Sequence, residues 1–337
     1  MTTHDPIAAV SVLSTGSVAI RPEHVGPTRT SMYVWLFSSR RWTQPRPINV
    51  YVIEHREGLV LFDTGQDRAS VTDPDYFPSG LTGKAYSRLA TFTIEPAQTL
   101  SAGLRRLGHE TADVDLAVLS HLHQDHIGGL SELRGATIAV SAPEWASLSK
   151  PLPEVRGLMR SHIELPGLRW SHLVPENLAD RSIAPFDAGH DIFGDGSLVV
   201  LPTPGHTPGS VSMLVRRPGQ HPLLLVGDLT YDDRLLEAAA LPGVGNKRQM
   251  RETTRRVNEL RRQLPGLVVL PAHDPSAASR LAAALATPPP AAVPFPPSPA
   301  QVERMTPCTT PKNSGTSSSP PSGKATERSL DASVRSD

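Results

Sequence analysis

An α/β fold is the class this sequence predicts, and three observations carry it. Apolar runs of strand length recur along the chain, stretches of helical periodicity fall between some of them, and loops rich in histidine and aspartate follow several. The order is plainest at residues 59–62, 97–107 and 116–119, which read as strand, helix and strand. At 337 residues the chain can bury a substantial core.

Taken in order, residues 7–13 read as a first strand, closed by Ser14-Thr15-Gly16. Residues 32–37 are dense in aromatics within a chain only 5% aromatic. They read either as a core strand or as an apolar flap that receives an alkyl chain or mediates dimer contact. Residues 48–53 and 59–62 read as paired strands turning at Glu57-Gly58, and Asp63-Thr64-Gly65 closes the second. Residues 66–94 carry Pro74, Pro78 and Gly80 and read as an irregular, lid-like loop. In 97–107, Leu100, Leu104 and Leu107 recur at helical intervals, and Gly108 stops the helix.

Residues 137–140 read as a strand and 142–148 as a short helix, followed by a poorly patterned surface excursion. His162, His172 and His190 lie in or near it, and isolated histidines of this kind receive no role. Strands follow at 197–201, 210–215 and 223–226, then a helix at 247–264 with Arg and Glu on its solvated face. A last strand at 267–270 and a helix at 277–286 complete the ordered part. The expectation is one domain over 1–286 and a disordered Pro/Ser/Thr-rich tail over 287–337, too poor in apolar residues to offset the cost of ordering.

Lys+Arg and Asp+Glu balance at 33 each, which leaves no electrostatic footprint for nucleic acid or an anionic membrane. No apolar run approaches the roughly 20 residues needed to cross a bilayer. The amino terminus lacks the basic and apolar regions of a secretory signal, so a soluble cytoplasmic protein is expected. The single cysteine, Cys308, falls in the tail, so any metal site in the ordered part must be built from nitrogen and oxygen.

The chemistry concentrates after the run at 116–119, in Ser120-His121-Leu122-His123-Gln124-Asp125-His126. Three imidazoles and one carboxylate within six residues crowd one another unless divalent cations hold them. His121 and His123, two apart, face one side of an extended segment and can grip one ion. Asp125 and His126 fall where the chain turns and can be aimed at a second.

His121-x-His123-x-Asp125-His126 resembles the signature of the metallo-β-lactamase superfamily. His206 in Pro204-Gly205-His206, Asp228 in Val226-Gly227-Asp228 and His273 in Pro271-Ala272-His273 extend the resemblance. It implies an αβ/βα four-layer sandwich of two similar halves with the site at their shared edge. It further implies that His121, His123 and His206 hold one metal, that Asp125, His126 and His273 hold a second, and that Asp228 bridges them. Zinc is the expected metal for so nitrogen-rich a set. Asp63 reads as a plain turn residue or, by resemblance, as the partner that orients a metal-bound histidine.

Within the superfamily the nearest resemblance is to the N-acyl-homoserine lactonases. It rests on Ser14-Thr15-Gly16, on Leu61-Phe62-Asp63-Thr64-Gly65 and on Tyr231 three residues after Asp228. It implies opening of a lactone ring by a metal-bridging hydroxide, with Tyr231 donating to the substrate carbonyl and Asp125 passing a proton to the leaving oxygen. Tyr231 also reads as a packed loop tyrosine. The stretch from His126 to His206 is longer than the family pattern, so the resemblance does not fix pocket shape or substrate. A cysteine-ligated zinc β-lactamase is disfavoured by Asp228, and a flavodiiron reductase by His123. Glyoxalase II is disfavoured by the lack of a carboxy-terminal helical region, and RNase Z by the lack of a basic arm. The implied partner is a small ester or lactone. Thioester or phosphoester hydrolysis, and a non-catalytic metal-binding module, are the alternatives.

Overall fold

The structure is a computed structural model, and it describes residues 5–289. Two mixed sheets face one another. The first holds β1 (Ile7–Ile20), β2 (Arg46–His55), β3 (Gly58–Phe62), β4 (Ala90–Thr93), β5 (Val114–Val118), β6 (Thr137–Ser141) and β7 (Arg169–Leu173), in the spatial order β4-β1-β2-β3-β5-β6-β7. The second holds β8 (His190–Asp191), β9 (Leu198–Pro202), β10 (Val211–Val215), β11 (Leu223–Leu225) and β12 (Val268–Leu270), in the order β12-β11-β10-β9-β8.

Period-2 alternation sorts each strand's side chains between layers. In β2, Tyr51 and Ile53 point into the core between the sheets, with Leu198, Val200 and Met213 from the second sheet. Val50 and Val52 point the other way, onto Leu100 and Leu104 of the helix Leu100–Arg106. In β9, Leu198 and Val200 face inward, while Val199 and Leu201 pack on Val257 and Leu260 of the helix Lys247–Gln263. Both faces of both sheets are therefore covered, which gives the layer order helix, sheet, sheet, helix. That is the four-layer sandwich the resemblance implies.

The helix Lys247–Gln263 buries Met250, Thr253, Thr254, Val257 and Leu260 at helical spacing. Asn246 starts it by accepting the Arg248 and Gln249 backbone N–H groups, an N-cap worth about 1 kcal/mol. The helix Ala277–Ala286 falls on the expected residues and sends Ala277, Leu281 and Ala284 into the inter-sheet core.

Three local expectations are corrected. β1 does not stop at Leu13. It passes an irregularity between Ser14 and Ser17 and runs to Ile20, and its second half pairs with β4. Gly16, at φ +111°, makes the bend possible, since a Cβ there would lie 2.7 Å from the Thr93 carbonyl oxygen. The second correction follows from the first: residues 66–94 are not irregular but form the helices Ala69–Thr72 and Gly80–Leu89 and then β4.

Third, the aromatic stretch is the helix Met32–Ser38, not a core strand. Trp35 and Leu36 are buried with Val244, while Tyr33, Val34 and Phe37 stay exposed. Strand β7 lies in the excursion that shows no pattern. The tail lies, from residue 290 on, outside the described residues, and Cys308 with it. Among the described residues, no helix is long and apolar enough to cross a membrane.

Candidate metal centre

The site forms where loops leave both sheets at one edge. His121 and His123 sit on the loop after β5, and His123 caps the short helix Gln124–Ile127 that carries Asp125 and His126. His206 comes from the loop between β9 and β10, Asp228 follows β11 and His273 follows β12. Gly227 lets the Asp228 loop close on the first sheet. Its φ is +52°, and a Cβ would lie 2.7 Å from Ser120 Oγ. All seven side chains expected from sequence meet in one place.

They meet as two triads, each with ligand-type atoms within 4.8 Å of one another, His121, His123 and His206, and Asp125, His126 and His273, and a third such group, His121, His126 and Asp228, links them. Asp228 stands between them. Its Oδ1 is 3.3 Å from His126 Nε2 and 3.3 Å from His273 Nε2, and its Oδ2 is 3.5 Å from His206 Nε2. His123 Nδ1 lies 3.0 Å from His121 Nε2 and 2.9 Å from His206 Nε2.

These spacings fit divalent cations. Four atoms placed about 2.0–2.1 Å from one tetrahedral ion are about 3.3 Å apart. Moreover, His126 Nε2, His273 Nε2 and Asp228 Oδ1 are buried and have no hydrogen-bond partner. Buried polar atoms left so would each cost about 1–3 kcal/mol, so convergent orphans mark a place for a cation.

The outward atoms fix which lone pairs face in. His126 Nδ1–H donates to Asp63 Oδ2 at 2.8 Å. His121 Nδ1–H donates to Ser120 Oγ at 2.9 Å, and Ser120 Oγ donates onward to Asp63 Oδ2 at 2.9 Å. Asp63 thereby sets one ring of each triad, its Oδ1 pinned by the Ser120 backbone N–H at 2.7 Å. It holds this place at φ +63°, a left-handed conformation that costs a non-glycine residue about 1–3 kcal/mol. His273 Nδ1–H donates to the Pro47 carbonyl at 2.9 Å, and His123 Nε2–H to the Arg156 carbonyl at 3.2 Å.

Charge divides the triads. Burial and the neighbouring imidazoles hold His121 well below the usual histidine range, and burial pushes His206 down to about 3. Burial also works against charging His126, but the Asp63 and Asp228 carboxylates outweigh it and raise that ring well above its ordinary value. His273 is likewise raised, Asp228 and Asp125 overcoming burial. Asp125 is driven low despite burial, by the His273 ring 3.3 Å from its Oδ2 and by the His126 and His273 charges.

Residues 43–293 match the metallo-beta-lactamase superfamily. The chain belongs to that superfamily. This metallo-beta-lactamase superfamily member is 32% identical over 234 residues to the N-acyl homoserine lactonase AttM of Agrobacterium fabrum, an alignment covering 68% of this chain and 83% of that protein. It is 29% identical over 278 residues to a probable metallo-hydrolase, Rv2300c, of Mycobacterium tuberculosis, covering 78% and 86%. Among solved structures, an N-acyl homoserine lactone hydrolase with N-hexanoyl-L-homoserine bound superposes with a TM-score of 0.62 at 20% identity, covering 81% of this chain and 94% of that one. That likeness shows the shared fold.

Four further residues that the sequence does not single out shape the site. Ser120 carries the His121–Asp63 link, and its place at the head of the histidine motif is the available signal. Glu144, buried, accepts from the Leu122 N–H at 3.1 Å, the Thr207 hydroxyl at 2.7 Å and the Gly209 N–H at 3.0 Å, tying the His121/His123 loop to the His206 loop. The spacing Ser141-x-x-Glu144 reads as a helix start, and Ser141 does accept the Glu144 N–H there. Arg46 donates to the Tyr231 carbonyl at 2.7 Å and the His273 carbonyl at 3.2 Å. His24 meets the Tyr231 hydroxyl at 2.9 Å, and no sequence pattern points to it.

Proposed function

We propose that this chain hydrolyses N-acyl homoserine lactones at a pair of divalent metal ions, opening the lactone to the N-acyl-homoserine carboxylate. The observation that carries the reading is the convergence of seven nitrogen and oxygen ligands as two triads sharing Asp228. The relatives named as lactonases, one at 32% identity, support the substrate class. In the proposed assignment His121, His123 and His206 hold one ion, Asp125, His126 and His273 the other, and Asp228 reaches both. Nitrogen-rich ligation favours zinc.

Bound there, two such ions would bring a water near neutral pKa and polarise the lactone carbonyl. The chain supplies the rest. Tyr231, buried, donates its hydroxyl proton to Asp228 Oδ2 at 2.7 Å in this structure. In the reaction the same proton turns to the carbonyl oxygen as negative charge develops there. Ring opening also needs a proton on the departing ring oxygen. Asp125, ionised and partly open to solvent at the rim of its triad, takes the proton released by the attacking water and delivers it to that oxygen.

The test is a substrate panel on protein stripped by a chelator and restored with zinc. N-acyl homoserine lactones of several chain lengths should turn over only after restoration, with two equivalents of metal bound. Faster turnover of a thioester or a nitrophenyl phosphate than of every lactone would overturn the substrate class.

A further inference from the structure

A hydroxyl has one proton, and the surroundings of Tyr231 call for two. Its oxygen lies 2.7 Å from Asp228 Oδ2 and 2.9 Å from His24 Nε2. The carboxylate is the nearer and stronger acceptor, so the phenol proton goes to Asp228. The contact with His24 then needs a proton of its own, which only the imidazole can supply. This makes His24 an Nε2–H donor with a bare Nδ1, and Nδ1 is indeed buried without a partner. The ring is held edge-on to Tyr231, centroids 5.2 Å apart at 77°, and Trp35 packs at 6.1 Å behind it.

The supporting segment lies outside the residues matched to the superfamily. His24 belongs to the short helix Pro22–Val25 and Trp35 to Met32–Ser38, both before residue 43, where the superfamily match begins. A backbone bond from the Gly243 N–H to the His24 carbonyl, 3.0 Å, fastens the segment over the site. Tyr231 is stacked on His273 from its other side, centroids 5.7 Å apart and 12° from parallel. The phenol ring is fixed by packing, so what remains free is the rotation of its O–H.

We infer that His24 is a positioning residue for the reaction: by donating into the Tyr231 oxygen it keeps the phenol proton aimed at the reacting centre. This rests on the proposed role of Tyr231. Without His24 the hydroxyl can rotate away from the substrate carbonyl, and its oxygen is left a buried acceptor with no donor. His24 acts only through Tyr231 and is itself neither a metal ligand nor a group that touches substrate.

Two experiments on the full-length, zinc-loaded protein test it. The first needs no turnover: proton–nitrogen NMR correlation spectra of the imidazole side chains should show His24 as the neutral Nε2–H tautomer, with a signal that shifts in Tyr231→Phe. An Nδ1–H tautomer would reverse the direction of the bond and overturn the proposal. The second is kinetic. His24→Phe keeps a ring of similar size and should lower kcat about tenfold, the effect of one lost neutral hydrogen bond, with KM within about twofold and two metal equivalents retained. His24→Gln places an amide N–H near the same point and should recover most of the loss. The His24→Phe and Tyr231→Phe losses should not add, and full additivity would mean that His24 does not act through Tyr231. If the wild-type protein opens no lactone, the substrate reading fails, while the tautomer result still decides the hydrogen bond.

Discussion

The two triads use the same ring in opposite electrostatic settings. Around His121, His123 and His206 the near neighbours are mostly other imidazoles, and burial keeps His121 and His206 neutral far below pH 7. Around His126 and His273 the neighbours are Asp63, Asp125 and Asp228, and both rings are pulled toward the protonated state in spite of burial. In the first triad His121 and His206 therefore offer neutral lone pairs to a cation. The other must exchange a proton for one. A single fold edge makes two unlike sites, and the difference lies in where three carboxylates fall.

Asp228 is the piece common to both, so its removal is the largest expected effect. Asp228→Ala should lower lactone turnover by at least about 1000-fold, consistent with the several kcal/mol of charge stabilisation such centres supply. Metal analysis should show fewer than two equivalents. Retention of full activity with both equivalents would remove Asp228 from the assignment and leave the triads independent. Next in size, Tyr231→Phe should cost about 100-fold in kcat, as for one lost donor to an oxyanion, while the metal content stays at two. A fall in metal content instead would make Tyr231 a support of Asp228 and not a partner of the substrate.

Asp63→Asn probes the link between the triads, because Asp63 fixes His126 directly and His121 through Ser120. The amide keeps the shape and loses the charge. Metal affinity should drop about 10- to 100-fold, the usual cost of removing the group that orients a ligating histidine. The loss should be larger for the second equivalent, whose His126 makes the direct bond. Equal losses at both sites, read by competition with a chelating dye, would mean that the Ser120 relay matters as much as the direct contact.

How much of this is legible in the sequence depends on whether a residue's partners lie nearby in the chain. The candidate ligands are crowded into one loop or sit just past apolar runs, so their types and positions stand out in the sequence alone. Asp63 is open to a turn reading there, and only its contacts with His126 and Ser120 decide for the orienting role. Glu144 and His24 act across the fold: Glu144 joins loops around residues 122 and 207, and His24 meets Tyr231. No short-range pattern encodes such contacts. The same holds for the elements. Helices Lys247–Gln263 and Ala277–Ala286 carry a clear apolar period, whereas edge strand β7 exposes most of its side chains and shows none. Met32–Ser38 has the aromatic content of a strand, and tertiary packing of Trp35 and Leu36 makes it a helix.

The smallest expected effect separates the triads most cleanly. The His126 ring is held well above its ordinary value and His273 is shifted the same way, so protons favoured there compete with a cation, while His121 and His206 are shifted the other way. Zinc titrated calorimetrically into the chelated protein, in buffers of different ionisation enthalpy, should therefore release more protons at the second triad than at the first. Affinity at the second triad should rise with pH, by up to about tenfold per unit for each proton displaced. Stability carries the same sign. A folded pKa above the unfolded value of about 6.5 contributes stability below that pH and loses it as pH rises through the folded value. The metal-free protein should lose His126's contribution on the alkaline side, and the gap in melting temperature between zinc-loaded and chelated protein should widen there. Equal proton release at both steps would show that the carboxylates do not divide the site.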